Sequence, residues 1–247
     1  ALVTKDDKGL VAMHALTQGA VRGLTAKAAR GALVAAVVGA LEAKLAKFDE
    51  HKPVTYFIGR RYASHVRAAA AQAGAWGLLG GGPGRDASRS GVGQAAGGGG
   101  AGARILEAVL RMCMRTGNFF WQVGGQYGQA LEMYQTAQDC ALALHGPEHL
   151  DVAKTHNNMG IVYEAQGKYE QALEAYSKSL DIKIKVAGQD SPLVATTHNN
   201  MGVVYERQGK YSEALEVYSK ALDIRVSALG RDHPLVADLK RNKALVH

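Results

Sequence analysis

The sequence is poor in cysteine, tryptophan and proline, and it has no long apolar segment. Its 247 residues include 2 cysteines, 2 tryptophans and 5 prolines. Cys113 and Cys140 are the only cysteines, and the N-terminus has no signal-peptide pattern. Both observations favour a reducing, cytoplasmic compartment over a disulfide-stabilised extracellular fold. The longest apolar stretch, Gly31 to Leu41, is much shorter than the ~20 residues that cross a bilayer. We therefore expect no membrane span.

The sequence also lacks the short motifs that carry most enzymatic chemistry. It contains no G-x-x-x-x-G-K-[ST] phosphate loop, no H-E-x-x-H pair and no recognisable Ser, His and Asp arrangement. Cys140, His145 and His149 are residue types that bind zinc, but a fourth ligand is missing. Gly146 and Pro147 should also keep the two histidines off a common helix face. We predict no enzyme activity, no metal site and no cofactor.

The formal net charge of +7 is unevenly distributed along the chain. Residues 1–79 contain 11 Lys and Arg against 5 Asp and Glu, whereas residues 105–247 contain 15 against 16. The basic excess is spread over many residues and lacks interleaved aromatic side chains. A nucleic-acid partner is therefore not expected.

The clearest internal signal is a repeat with a period of 42 residues. The segments Asp151–Gly188 and Leu193–Gly230 share 25 identities in 38 aligned positions. One period upstream, Tyr127 falls in register with Tyr169, which indicates a third and more divergent copy. Residues 238–247 begin a fourth copy. A fixed period in this range predicts stacked supersecondary units.

Each repeat is predicted to be a pair of helices. Apolar residues recur at three- and four-residue intervals, as Met159 and Tyr163 do on one face. Glycine stands where each helix should end and proline where the next should begin, at Gly167, Gly188, Gly209, Gly230, Pro192 and Pro234. The small residues Gly160 and Ala172 should let two facing helices approach closely. We therefore assign residues 105–247 to an all-α stack of about three full helical hairpins and a truncated fourth.

The chain upstream of the repeats has a different character. Residues 79–104 are dominated by glycine and predict a flexible linker. Within residues 1–24, two short apolar runs around Lys5–Gly9 predict a small β-hairpin followed by a helix. Residues 25–78 are predicted to be a helical segment. A small, mostly helical domain with a short β-hairpin should thus precede the repeats.

The repeat residues resemble a known family. The spacing of glycine, alanine and tyrosine at Gly160, Tyr163, Ala172 and Tyr176 is similar to that of the tetratricopeptide repeat. The 42-residue period and the N-N-M-G element look like the kinesin light chain variety of this repeat. The resemblance implies a superhelix, or α-solenoid, whose concave groove binds an extended peptide or a partner protein.

The first residues carry a second resemblance. Met13 and His14 after the hairpin, followed by two helices and then repeats, are similar to the end of an NB-ARC signalling ATPase. The resemblance implies a winged helix in which His14 contacts nucleotide phosphates. Ala15 replaces the aspartate that often follows, and no P-loop is present in this chain. The alternative for His14 is a half-buried histidine at a helix start, and we expect no tight ATP binding by this chain alone.

Two asparagine pairs mark the candidate partner-binding positions. Asparagine is a mediocre helix former, so its recurrence within the first helix of each repeat needs a reason. In the family resembled, this helix face lines the groove and asparagine amides hold a peptide backbone. The alternative is that one asparagine of each pair caps or bridges adjacent helices. The candidate residues are Lys154, Asn157, Asn158, Ile161, Glu164, Thr196, Asn199, Asn200, Val203, Glu206 and Arg207.

These observations favour a protein–protein interaction module without catalytic activity. One alternative is the C-terminal sensor and repeat region of a nucleotide-switched NB-ARC-type signalling ATPase, whose nucleotide-binding domain would lie outside this chain. Another is a kinesin light chain-like cargo adaptor. In each case the expected partner of the repeats is a protein or peptide.

Overall fold

The C-terminal part of the chain is described almost continuously by the structure, a computed structural model. The described residues are 4–5, 11–12, 66, 101–122 and 125–246. His14, most of the predicted helical segment 25–78 and most of the predicted linker 79–104 lie outside them. The exceptions in these two segments are Val66, which is helical and buried, and residues 101–104.

Seven helices and one short antiparallel ladder form the described part of the chain. The strands are β1 (Thr4–Lys5) and β2 (Val11–Ala12). The helices are α1 (Ala101–Gln122), α2 (Tyr127–His145), α3 (Leu150–Ala165), α4 (Tyr169–Ala187), α5 (Pro192–Arg207), α6 (Tyr211–Leu229) and α7 (Pro234–Ala244). None of the described helices has the length and apolar character that a membrane span requires.

The two strands lie where the sequence places a turn between apolar runs. Thr4 pairs with Ala12 and Lys5 with Val11. A ladder of two residue pairs does not by itself define the winged-helix-like unit predicted for residues 1–24, and the rest of that unit lies outside the described residues. The helix α1 already begins at Ala101, so residues 101–104, predicted as the end of the linker, are helical instead. Three of these four residues are alanine or arginine, which are among the best helix formers and favour an earlier helix start despite Gly102.

The chain divides into two compact units, residues 1–119 and residues 120–247. Within the second unit each helix packs against the next along the chain, from α2 through α7. The first helices of consecutive repeats, α3 and α5, also contact each other. This order is the one that the 42-residue period predicts.

The helix ends follow the predicted punctuation. Between α3 and α4, Gly167 adopts a φ of 73°, the left-handed conformation that the predicted C-terminal cap requires. Helix α5 has Pro192 in its first turn, and its N-cap residue Ser191 accepts a hydrogen bond from the Leu193 backbone nitrogen at 3.3 Å. His149 and His233 cap α3 and α7 in the same way through Nδ1.

The core of each repeat is built around one tyrosine of the second helix. Tyr176 and Tyr218 are fully buried. A Cβ atom on Gly160 would lie 2.6 Å from Cε1 of Tyr176. Gly160 is thus required by a ring on the facing helix, the same helix that carries Ala172. Gly202 and Tyr218 repeat this contact in the next unit.

Candidate partner-binding face

The candidate residues lie on the first helices of two consecutive repeats, α3 and α5. The half-buried ones are Asn157, Asn158, Ile161, Glu164, Asn199, Asn200, Val203 and Glu206, and the exposed ones are Lys154, Thr196 and Arg207. We call the surface formed by these residues, together with Asn242 of α7, the first-helix face. Partial burial and helical spacing keep most of these side chains in place on a rigid element.

Asparagines connect the first helices of successive repeats. The Asn200 Nδ2 atom donates to Oδ1 of Asn157 at 3.4 Å, from α5 to α3. Asn242 donates in the same way to Oδ1 of Asn199 at 3.1 Å, from α7 to α5. The bridging alternative therefore describes one role of these amides, because each bond joins the first helices of two consecutive repeats. Peptide binding by the same side chains stays a prediction.

The bridges leave part of each amide unused. Among the described residues, the two hydrogen bonds engage Oδ1 of Asn157 and Oδ1 of Asn199. An amide group also has two N–H donors. The first asparagine of each pair therefore offers oriented donors on a half-buried surface.

Glu164 and Glu206 are tied to the second helix of their own repeats. Tyr176 donates its hydroxyl proton to Oε2 of Glu164, and Tyr218 to Oε2 of Glu206, each at 3.1 Å. Arg207 of the next repeat lies 3.5 Å from Glu164. Burial raises the pKa of Glu164, and the Arg207 charge and the Tyr176 hydrogen bond oppose that rise. Both glutamates thus have a structural partner that the sequence analysis did not assign to them.

The other candidate residues are placed as follows. Ile161 packs against the cluster of Ala172, Tyr176 and Val204, so its side chain is shared between core and surface. Lys154 pairs with Oδ1 of Asp151 at 2.9 Å. Thr196 donates to the Pro192 carbonyl within its own helix.

Three polar contributions are not among the residues predicted from sequence. We call the hydrogen-bonded asparagines Asn157, Asn200, Asn199 and Asn242 the asparagine ladder. Asn242 follows Asn200 by one 42-residue period, so the period alone could have identified it as part of this ladder. The tyrosine and glutamate of each repeat are separated by 12 residues in both copies, which is a second signal. Lys183, which is 5% exposed, donates to Thr197 Oγ1 at 2.7 Å, and no repeated signal points to it because Arg225 occupies its equivalent position.

The residues considered for zinc lie at the end of α2 and in the loop that follows it. His145 and His149 stack with ring centroids 4.0 Å apart, because the loop through Gly146 turns the chain back on itself. His145 ends α2 and His149 caps α3, so the two histidines share no helix face, as predicted, although their rings are in contact. Cys140 is fully buried, and burial together with the Asp139 charge raises the pKa of its thiol to about 12. A thiol that stays protonated is a poor metal ligand.

Comparison with known proteins gives the same architecture. The model of the tetratricopeptide repeat family matches residues 117–185 and 193–247, together just over half of the chain. The crystal structure of BtubC (BKLC) from P. vanneervenii is similar with 18% identity and a TM-score of 0.53, covering 90% of this chain and 84% of that one. A kinesin light chain-like protein of Podosopora anserina with nearly identical TPR-like repeats has 16% identity and a TM-score of 0.45, covering 77% and 82%. No curated protein sequence matches significantly.

Proposed function

Since this chain belongs to the tetratricopeptide repeat family, we propose that it is a protein-interaction module that binds an extended peptide along its first-helix face. Repeats of this family bind protein partners. The proposal adds where the partner lies and which groups hold it. The NB-ARC-like role of His14 has no support from the described residues, and we do not propose it.

One observation carries this proposal: the asparagine ladder leaves oriented amide donors on the surface. Asn157 and Asn199 each use Oδ1 to accept a hydrogen bond from the next helix. The interhelical bond fixes the orientation of each amide, so little side-chain entropy is lost when its N–H groups meet a peptide carbonyl. Two such donors one repeat apart suit the main chain of an extended segment, which offers carbonyls regardless of its sequence.

Substitution by aspartate separates the two roles of these side chains. Asn157→Asp and Asn199→Asp keep an oxygen that accepts from Asn200 and Asn242, but they remove the N–H donors. A peptide selected from a random phage-displayed library against the full chain would serve as the probe. We expect the double variant to weaken binding of that peptide about tenfold or more, because each lost hydrogen bond is worth about 0.5–1.5 kcal/mol. Fluorescence polarisation measures the affinity and thermal unfolding measures stability.

The control must reproduce the added charge away from the first-helix face. Gln171 and Gln189 are exposed, one in α4 and the other after its end, so Gln171→Glu with Gln189→Glu adds the same two negative charges. This control should bind the peptide as the wild type does. Equal affinity of the wild type and the aspartate double variant would contradict the assignment of the first-helix face. Failure of the library to yield any saturable peptide would contradict peptide binding itself.

A further inference from the structure

The loop between α2 and α3 differs from the two equivalent loops in a way that the repeat itself does not explain. His145 stands where Ala187 and Leu229 stand one and two periods later. Asp151 stands where those repeats have Leu193 and Leu235. Two apolar positions of the consensus thus carry a histidine and an aspartate in one loop only.

His149, which lies between His145 and Asp151 in the sequence, has the same role as the equivalent residues of the other two loops. His149 caps α3 through Nδ1, which accepts from the Asp151 backbone nitrogen at 3.2 Å. His233 caps α7 with the same distance and the same atom, and Ser191 does so through its hydroxyl. Helix capping therefore accounts for His149 but not for His145. Asp151 stands in the first turn of α3, where an acidic residue is favourable, and it pairs with Lys154.

The three side chains bring potential ligand atoms close together. His145 Nε2 lies 3.7 Å from Oδ2 of Asp151, and His149 Nδ1 lies 3.5 Å from the same oxygen. One ligand atom from each residue falls within 4.8 Å of the others. Two ligands of a tetrahedral zinc ion, each bound at about 2.1 Å, are separated by about 3.4 Å. The two separations that involve Oδ2 of Asp151, 3.7 and 3.5 Å, are close to that value.

We propose that His145, His149 and Asp151 form a binding site for a divalent transition-metal ion of the zinc type. Two imidazoles and one carboxylate suit zinc and its neighbours, and they disfavour magnesium and calcium, which prefer oxygen ligands alone. The site is partly exposed, so a water molecule or a group of a partner protein completes the coordination. The ion joins the end of α2 to the start of α3, that is, one repeat to the next.

Two existing interactions compete with the metal ion. The Nδ1 atom of His149 has one lone pair, so coordination there replaces the cap hydrogen bond from the Asp151 nitrogen. Lys154 donates to Oδ1 of Asp151 at 2.9 Å, which leaves Oδ2 for the ion but places a positive charge nearby. Removing that charge should therefore tighten metal binding.

Zinc titration of the untagged full chain at neutral pH, in competition with a chromogenic indicator, tests the site. The variants His145→Ala and Asp151→Leu introduce residues that the equivalent loops already contain, so the fold should accept them. We expect one strongly bound zinc ion in the wild type and a loss of at least about tenfold in affinity for each variant. Lys154→Ala should bind zinc more tightly than the wild type. Imidazole NMR signals of His145 and His149 should shift on zinc addition.

The matched control is His233→Ser, which replaces a capping histidine by the residue that caps α5. Its zinc affinity should equal that of the wild type, because no histidine or aspartate occupies the positions equivalent to His145 and Asp151 in that loop. The proposal is overturned if the wild type binds no zinc. It is equally overturned if His145→Ala and Asp151→Leu bind zinc as the wild type does, since the ion then resides elsewhere.

Discussion

Single residues of this repeat are constrained mainly by what the facing helix places against them. Sequence periodicity identified Gly160 as a position for a small residue that faces another helix. It could not identify the neighbour, because a spacing pattern shows which face is buried and not which atom fills the gap. The structure shows that the neighbour is the ring of Tyr176.

We predict that Gly160→Ala destabilises the protein although alanine is the better helix former. The intrinsic gain is about 1 kcal/mol, but the new Cβ would lie 2.6 Å from a fully buried ring. Overpacking of this kind costs about 1–3 kcal/mol, so the overpacking term should exceed the gain. Urea unfolding of both proteins measures the difference.

Gly128 provides the matched control for that substitution. It is a helical, exposed glycine of α2, and an added Cβ would have no neighbour within 4 Å. Gly128→Ala should therefore leave stability unchanged or raise it by up to about 1 kcal/mol. If Gly160→Ala were as stable as Gly128→Ala, the tyrosine contact would not constrain the helix pair.

At the scale of helices, the glycines and prolines of the sequence predicted most helix ends correctly. The boundaries from the end of α3 to the start of α7 lie at or within two residues of the glycines and prolines of the 42-residue repeat. Those residues act locally through φ and through the missing N–H group. Interactions between helices were predicted less well. Lys183 of α4 and Thr197 of α5 are each ordinary residues in the sequence, and only packing brings them together as a buried pair.

We predict that the stability of the wild type increases with pH relative to Lys183→Met. Burial lowers the pKa of Lys183 to about 8 from an ordinary value of 10.5. Between about pH 8 and pH 10.5, the Lys183 amine is protonated in the unfolded chain but not in the folded chain. The free energy of unfolding therefore increases as pH rises. The resulting change in the free energy of unfolding is on the order of 3 kcal/mol. Thr197 keeps its bond to the Leu193 carbonyl in the variant.

Urea unfolding at pH 7 and at pH 10 gives the required comparison. Other lysines and tyrosines also titrate in this range, but they are common to both proteins and cancel in the difference between them. The variant should be the more stable protein at pH 7, and this advantage should shrink at pH 10. A stability difference that does not change with pH would show that the Lys183 ammonium is not penalised by its surroundings.

Across the whole stack, a substitution in one repeat should affect the stability of the adjacent repeats and of no others, as in other repeat proteins. The asparagine ladder allows a direct test, because its members are chemically identical and differ only in separation. Asn157 and Asn200 are bonded, as are Asn199 and Asn242, whereas Asn157 and Asn242 belong to first helices two repeats apart. The period of 42 residues predicted equivalent positions, but the hydrogen bonds between them depend on the superhelical arrangement.

Double-mutant cycles with alanine measure the coupling within each of these three pairs. We predict the largest coupling free energy for Asn199 with Asn242, whose bond is 3.1 Å long, and a smaller one for Asn157 with Asn200, at 3.4 Å. A neutral hydrogen bond contributes about 0.5–1.5 kcal/mol. For Asn157 with Asn242 the two single effects should add within about 0.5 kcal/mol, as they do for residues that share no contact. Coupling of that distant pair as strong as in the bonded pairs would mean that the ladder responds as one cooperative unit, and nearest-neighbour transmission would be excluded.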